Sequence, residues 1–377
     1  MQILVTAPFP AHLMDKLRTV SRELVVEQIK LDGGRWPADL KTTAEVIYAL
    51  SDVPRPDQAP NLRWVQAHFA GIDHLVDKPL WHSDILVTSA SGIHTTNIAQ
   101  YVFAQILAWA NRVPRWLQHQ HKADWPANRW EKFVPQELRG SVLGIVGYGS
   151  IGREVARVAK TFGMKVLATK RDARRLDDHD FMLPATGDPK GMLADRIYPP
   201  EATRSMVGEC DFVVIAAPLT PKTHHMFDEE MLKAMKPSAF LVNIGRGAII
   251  KEEDLVKGLK KGWLAGAGLD VFETEPLPAK SQLWGLENVI LSPHVSGFTP
   301  HYDERVTDLF AENLRRYLAG EPLLNVVNRE RPGWEVKNPR CWSRVVSQEA
   351  RQADIARGDI EPVGRVPPFR PSWLIFV

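Results

Sequence analysis

Residues 141–171, SVLGIVGYGSIGREVARVAKTFGMKVLATKR, read as strand, glycine turn, helix and second strand. Val142, Leu143, Ile145 and Val146 form the short apolar run expected of a strand buried on both faces. Gly147, Gly149 and Gly152 then stand as G-x-G-x-x-G. The first glycine permits a tight turn, the second lets backbone approach a pyrophosphate, and the third lets the helix pack close to the strand. The helix places Ile151, Val155, Val158, Ala159 and Phe162 on one face, and Gly163 is positioned to stop it. The free N–H groups at its start, from Ser150 and Ile151 onward, suit an anionic phosphate. Lys165 to Thr169 closes the unit as a second strand. Glycine-rich turns are common and most bind nothing; flanked here by both strands and a phased helix, this one reads as a dinucleotide site over a plain structural turn.

The end of that second strand carries a further signal. An NAD site wants a carboxylate there to accept hydrogen bonds from the ribose hydroxyls. This chain has Lys170 and Arg171, with Asp172 only after them. Two cations can pair with the extra phosphate of NADP. The plain alternative is a solvated basic strand end. The reading favours NADP(H), with NAD(H) as the other possibility.

The chain has 377 residues, enough for two domains with sizeable cores. Its 47 Lys and Arg against 45 Asp and Glu leave a net charge of +2. No global basic field points to nucleic acid or a membrane surface. The two cysteines, Cys210 and Cys341, are far apart and lack metal-ligand spacing, which fits a reducing compartment. Neither a leader-type N-terminus nor a run long enough to span a bilayer is visible, so a soluble cytoplasmic protein is expected, with no metal.

Residues 1 to about 100 alternate strand and helix signals, with strands expected at Ile3–Thr6, Val46–Leu50, Trp64–Ala67 and Ile85–Ser89. Ala70 and Gly71 follow the third of these and could present backbone N–H groups to an anion, or form a simple turn. A long apolar helix from Thr96 to about Arg112 leads into a second domain. Trp116 to Phe133 reads as an exposed arm, and its Trp116, Trp125 and Trp130 suggest a subunit contact. His119 and His121, without further ligands nearby, read as surface residues. Beyond the glycine motif, strands are expected at Asp211–Ala216, Phe240–Ile244, Gly268–Phe272 and Val289–Ser292. The connection from Asp172 to Glu209 is long, rich in Pro and Gly, and expected to be partly irregular. From His301, a helix with Val306, Leu309, Phe310, Leu314 and Leu318 on one face is expected to cross back to the first domain. Residues 331–377 carry no sustained period and read as a weakly ordered tail.

In an open parallel sheet, ligands sit beyond the carboxyl ends of the strands. Those ends carry Ala217-Pro218, Asn243-Ile244-Gly245-Arg246-Gly247, Asp270 with Glu275 shortly after, and Ser292-Pro293-His294. Hydride arriving at a ketone carbon leaves an alkoxide, which needs a proton from a group titrating near neutrality. His294 suits that task, and an adjacent carboxylate, Glu275, would orient the ring. Arg246, between two glycines, could clamp the carboxylate of a 2-oxo acid and polarise its carbonyl. Singly, each has an ordinary reading: a capping Arg, a surface Glu, a His satisfied in a turn. Together, beside a dinucleotide turn, they form a constellation for moving a proton and a hydride.

The motifs GYGSIG (147–152), PLTPKTHHMF (218–227), NIGRG (243–247), GLDVFETEPLP (268–278) and SPHVSG (292–297) resemble the D-isomer-specific 2-hydroxyacid dehydrogenase family over about residues 1–330. The resemblance implies two doubly wound parallel α/β domains. A Rossmann NAD(P)-binding domain, residues 101–294, would be inserted into a flavodoxin-like substrate domain, residues 1–100 plus 295–330. It implies Arg246, Glu275 and His294 as the catalytic set in a homodimer that acts on a small 2-oxo or 2-hydroxy acid. Asp270 would hold the nicotinamide amide, and Ala70 and Gly71, with Arg246 and His294, the substrate. Thr96, Gly147, Gly149, Ser150, Ile151, Gly152, Ala217, Pro218, Ile244, Arg246 and His294 would face the cofactor, with Lys170 and Arg171 at its phosphate. The basic pair is similar to that of NADPH-preferring glyoxylate/hydroxypyruvate reductases. Gln100 stands where many members have Glu and is given no catalytic meaning. Two rivals keep this fold: formate dehydrogenase, against which Glu275 argues, and a nucleotide-sensing regulator of the corepressor type. A methyltransferase would leave Arg246 and His294 unexplained.

Overall fold

The computed structural model describes residues 1–31, 34–37, 43–329 and 335–336. Two parallel sheets organise them. The first contains β1 (Gln2–Val5), β2 (Val25–Gln28), β3 (Val46–Ala49), β4 (Trp64–Ala67) and β5 (Leu86–Thr88), in the order β2-β1-β3-β4-β5. That is the flavodoxin-like arrangement. The second contains β6 (Val142–Val146), β7 (Lys165–Thr169), β8 (Arg196–Tyr198), β9 (Phe212–Ile215), β10 (Phe240–Asn243), β11 (Gly266–Leu269) and β12 (Val289–Leu291). Its order, β12-β11-β10-β9-β6-β7-β8, reverses between β6 and β9. A reversal of this kind opens a crevice at the carboxyl ends of those two strands, where dinucleotides bind.

Three strands differ from expectation. Neither β2 nor β8 is among the expected strands, because each sits at a sheet edge and is short, with a mixed polar pattern that shows no period. In β11 the strand begins at Gly266 and ends at Leu269, earlier than the expected Gly268–Phe272. Pairing with β10 and β12 makes it strand there. A Cβ on Gly266 would lie 2.5 Å from the Trp109 ring, so the missing side chain lets the strand pass beneath that indole.

Trp109 belongs to the helix Thr95–Ala110, which buries Ile98, Val102, Phe103 and Ile106 against Leu143, Ile145 and Val242 of the second sheet. Stacking of Trp109 on Phe240, with centroids 4.7 Å apart, adds to that seam. The helix Tyr302–Leu318 returns to the first sheet and buries Val306, Leu309, Phe310 and Leu314 among Ile3, Val5, Tyr48 and Trp64.

The connection after β7 is more ordered than its composition suggested. Buried Arg153, from the helix Ser150–Thr161, pairs with Asp178 at 3.1 Å and donates to the carbonyls of Leu176 and Asp188. Tyr148 donates to Asp188 at 2.7 Å. Phe181 then packs on the first sheet's core, and its N–H donates to Asn325 Oδ1. Residues 172–195 thus strap the dinucleotide helix to the first sheet. Glu335–Val336 pairs antiparallel with Val327–Asn328; the rest of the expected tail, with Cys341, lies outside the described residues. Among the described residues, no helix is long and apolar enough to cross a membrane.

Candidate active site

The glycine turn behaves as its spacing requires. Gly147 has φ +105°, and a Cβ there would lie 2.8 Å from the Ala217 nitrogen, at the end of β9. A Cβ on Gly152 would lie 2.3 Å from the Gly147 carbonyl oxygen. Gly149 is different: a Cβ would meet nothing within 4 Å. Its backbone therefore faces open space at the start of the helix Ser150–Thr161, where the first N–H groups have no partner within the helix. A pyrophosphate fits that space, and the helix dipole favours its charge.

The ends of β9, β10 and β11 close around this turn. A Cβ on Gly245 would lie 2.7 Å from the Ala217 carbonyl oxygen. A Cβ on Gly247 would lie 1.8 Å from the Phe272 carbonyl carbon. The glycines flanking Arg246 thus permit backbone approach of two neighbouring strand ends. The Arg246 backbone is fixed as well, because Asn243 Nδ2 donates to its carbonyl at 3.0 Å. Ala217 and Ile244 are buried at this junction, in the packing between strand ends.

The structure brings Glu275 and His294 together. His294 Nδ1 lies 2.7 Å from Glu275 Oε2, and the other carboxylate oxygen accepts from the Phe272 N–H at 3.0 Å. Both side chains remain partly open, at 49% and 36% exposure, so the imidazole's second nitrogen can meet a substrate. His294 has φ +55°, a left-handed conformation uncommon for histidine and costly unless its surroundings impose it. The surroundings do so through Asp270. That residue is 0% exposed, and its carboxylate accepts from Ser292 Oγ (2.6 Å), Val295 N (2.9 Å) and Ser296 N (2.9 Å). Asp270 therefore braces the loop on both sides of His294.

Ala70 and Gly71 lie at the end of β4, on the other sheet. Tyr302 OH donates to the His68 carbonyl just before them at 2.7 Å, and His94, whose ring packs on Tyr302, meets the Gly297 carbonyl beyond the histidine loop at 2.9 Å. His68 and His94 were not singled out from sequence, since isolated histidines carry no local signal. Burial lowers both, His68 to about 4, so each stays neutral and serves as a packing and hydrogen-bonding group. Thr96 lies in the first turn of the helix Thr95–Ala110, and Gln100 is exposed.

Lys170 and Arg171 follow β7 directly, and Lys170 N–H donates to the Tyr198 carbonyl of β8 at 3.0 Å. Burial and the neighbouring Arg153 lower the Lys170 ammonium, while Asp178 and Asp172 oppose that effect. In the strap, burial and Asp178 push the Asp180 carboxyl up to about 6. In the arm, Trp125 and Trp130 are 83% and 78% exposed, Arg129 stacks on both, and His119 pairs with Asp124 at 2.7 Å.

With this geometry in place, similarity to known proteins settles the family. A family model described as "D-isomer specific 2-hydroxyacid dehydrogenase, NAD binding domain" matches residues 103–296. The chain belongs to the D-isomer specific 2-hydroxyacid dehydrogenase family. A glyoxylate reductase of Pyrococcus furiosus is 33% identical over 328 residues, covering 85% of this chain and 90% of its own. Among solved structures, a family member from Aeromonas salmonicida is 31% identical with a TM-score of 0.69, covering 87% of this chain and 99% of that one. A D-isomer specific 2-hydroxyacid dehydrogenase from Xanthobacter autotrophicus Py2, solved with NADPH and MES, is 26% identical with a TM-score of 0.72, covering 88% and 99%. The protein is an oxidoreductase acting on CH–OH donors, and it binds a nicotinamide dinucleotide. For such a dehydrogenase, the open backbone at Gly149 and the crevice between β6 and β9 lie where the fold places its cofactor.

Proposed function

We propose that this chain is a reductase of small 2-oxo acids, of the glyoxylate or hydroxypyruvate class, that works as a homodimer and prefers NADPH. The observation that carries the reading is the 2.7 Å contact between His294 and Glu275 at the strand ends beside the glycine turn. The cofactor supplies the hydride. Arg246 holds the substrate carboxylate and polarises the carbonyl, with backbone N–H groups of Ala70 and Gly71 on the same carboxylate. His294 delivers a proton to the oxygen as negative charge develops there, and Glu275 keeps the ring oriented. A direct ketone reduction needs that proton, whereas formate oxidation does not, so this acid–base pair favours the 2-oxo acid reading over formate dehydrogenase. The glyoxylate reductase relatives support the substrate class.

NADPH preference rests on Lys170 and Arg171 at the end of β7, where an NAD enzyme would carry an acid. A partly buried lysine lowered by a neighbouring arginine gains from an added anion, which a 2′-phosphate provides. Asp270, fully buried and engaged by Ser292, Val295 and Ser296, serves here as the brace of the histidine loop rather than as the acceptor for the nicotinamide amide that the resemblance implied. Dimerisation is supported by the large, open faces of Trp125 and Trp130, which are costly to leave in water.

The test is the initial rate of NADPH and NADH oxidation with glyoxylate, hydroxypyruvate and a branched 2-oxo acid. Faster turnover with NADPH is expected. Faster turnover with NADH would overturn the assignment of Lys170 and Arg171 while keeping the reductase. Binding of both cofactors without turnover would instead favour a nucleotide-sensing regulator of the same fold. Light scattering on the same sample is expected to give about twice the chain mass; a monomer would remove the arm's proposed role.

A further inference from the structure

Asn97, Tyr101 and Gln105 are spaced four residues apart on the helix Thr95–Ala110, so they share one face. That face meets the His294 loop. Asn97 Nδ2 donates to the Ser296 carbonyl at 2.8 Å. Tyr101 OH lies 2.5 Å from Ser292 Oγ, and Gln105 Nε2 donates to Tyr101 OH at 2.8 Å.

The direction of this chain follows from what each group can give. The Asp270 carboxylate oxygen is an acceptor, so Ser292 spends its one hydroxyl proton on it. Ser292 Oγ must then accept from Tyr101, which spends its own proton there and accepts from Gln105. The amide, phenol and serine hydroxyl point the same way, and each bond polarises the next. Burial raises the phenol to about 12, so it keeps the proton it donates. The chain ends on the carboxylate that also receives the N–H groups of Val295 and Ser296, on the far side of His294.

We propose that Tyr101 is a positioning residue for the proton transfer: through Ser292 and Asp270 it holds the loop that keeps His294 in its left-handed conformation against Glu275. It touches neither substrate nor cofactor in this role. The inference rests on the reading of His294 as the proton donor. It adds that the helix leading out of the first domain sets where that proton stands.

The test compares Tyr101→Phe, Ser292→Ala and the double variant with the wild type. Phenylalanine keeps the ring and removes only the hydroxyl. Tyr101→Phe is expected to lower kcat about five- to tenfold, the weight of one hydrogen bond, with KM for both substrates nearly unchanged. A larger solvent isotope effect on kcat should accompany the loss, because proton transfer becomes slower relative to other steps. The double variant should lose no more than the larger single loss, since both substitutions cut one chain. Independently of activity, amide exchange at Val295 and Ser296 should quicken in Tyr101→Phe while the amides of β9 keep their protection. Wild-type kcat and isotope effect in Tyr101→Phe, or fully additive losses, would overturn the proposal. A wild type without turnover would sink the reductase reading; unchanged exchange at Val295 and Ser296 would then sink this inference separately.

Discussion

Replacing His294 by alanine is expected to cut kcat by a factor on the order of a hundred or more, the usual worth of a positioned general acid or base. The dissociation constant of NADPH should stay within about twofold, because the glycine turn and the helix Ser150–Thr161 lie on different elements from the histidine loop. The loop itself should persist, since Asp270 holds it through Ser292, Val295 and Ser296, none of which uses the imidazole. Stopped-flow fluorescence for cofactor binding, beside steady-state rates, separates the two effects. Parallel loss of cofactor affinity and turnover would mean that His294 is structural and that the proton comes from elsewhere.

Gly247→Ala is the second change with a large expected effect, and it touches no reacting group. Its Cβ would sit 1.8 Å from the Phe272 carbonyl carbon and 2.4 Å from the Glu273 nitrogen. Both neighbours are backbone, so the clash cannot be relieved by turning a side chain. Either the segment carrying Arg246 or the segment leading to Glu275 must move. A misplacement of about 1 Å in a reacting constellation costs on the order of a hundredfold in rate. Overpacking of this kind also costs about 1–3 kcal/mol in stability. The expected result is a folded protein with a lowered Tm and kcat/KM reduced by about two orders of magnitude, while NADPH still binds. Near-normal kcat/KM would show that the Arg246 and Glu275 segments do not depend on this close approach.

Much of the architecture was legible because it follows from local patterns. The apolar run Val142–Val146, the three glycines and the one-faced helix after them each answer to a local requirement: burial, a tight turn, or helical period. The edge strands β2 and β8 were not legible, since a short strand needs a neighbour to define it and neither carries a period. The start of β11 was not legible either. Gly266-Ala267-Gly268 carries no strand pattern; it becomes strand by pairing with β10 and β12, and the missing side chain at Gly266 lets it pass beneath Trp109. The site shows the same division. Arg246, Glu275 and His294 could be proposed from strand ends, but the bracing behind His294 could not. The one available hint was the fourfold spacing of Asn97, Tyr101 and Gln105 along one face of a largely apolar helix.

The sequence by itself determined the dinucleotide turn, the succession of parallel strands and the set of residue types that reduce a ketone, because each depends on chain neighbours within a few residues. Only the tertiary structure decided how those pieces meet. Asp270 lies 24 residues before His294 in the chain and Tyr101 lies 193 before it, yet both bear on the conformation of that one histidine. Such coupling is made by packing a helix across the ends of a sheet, and no local pattern contains it.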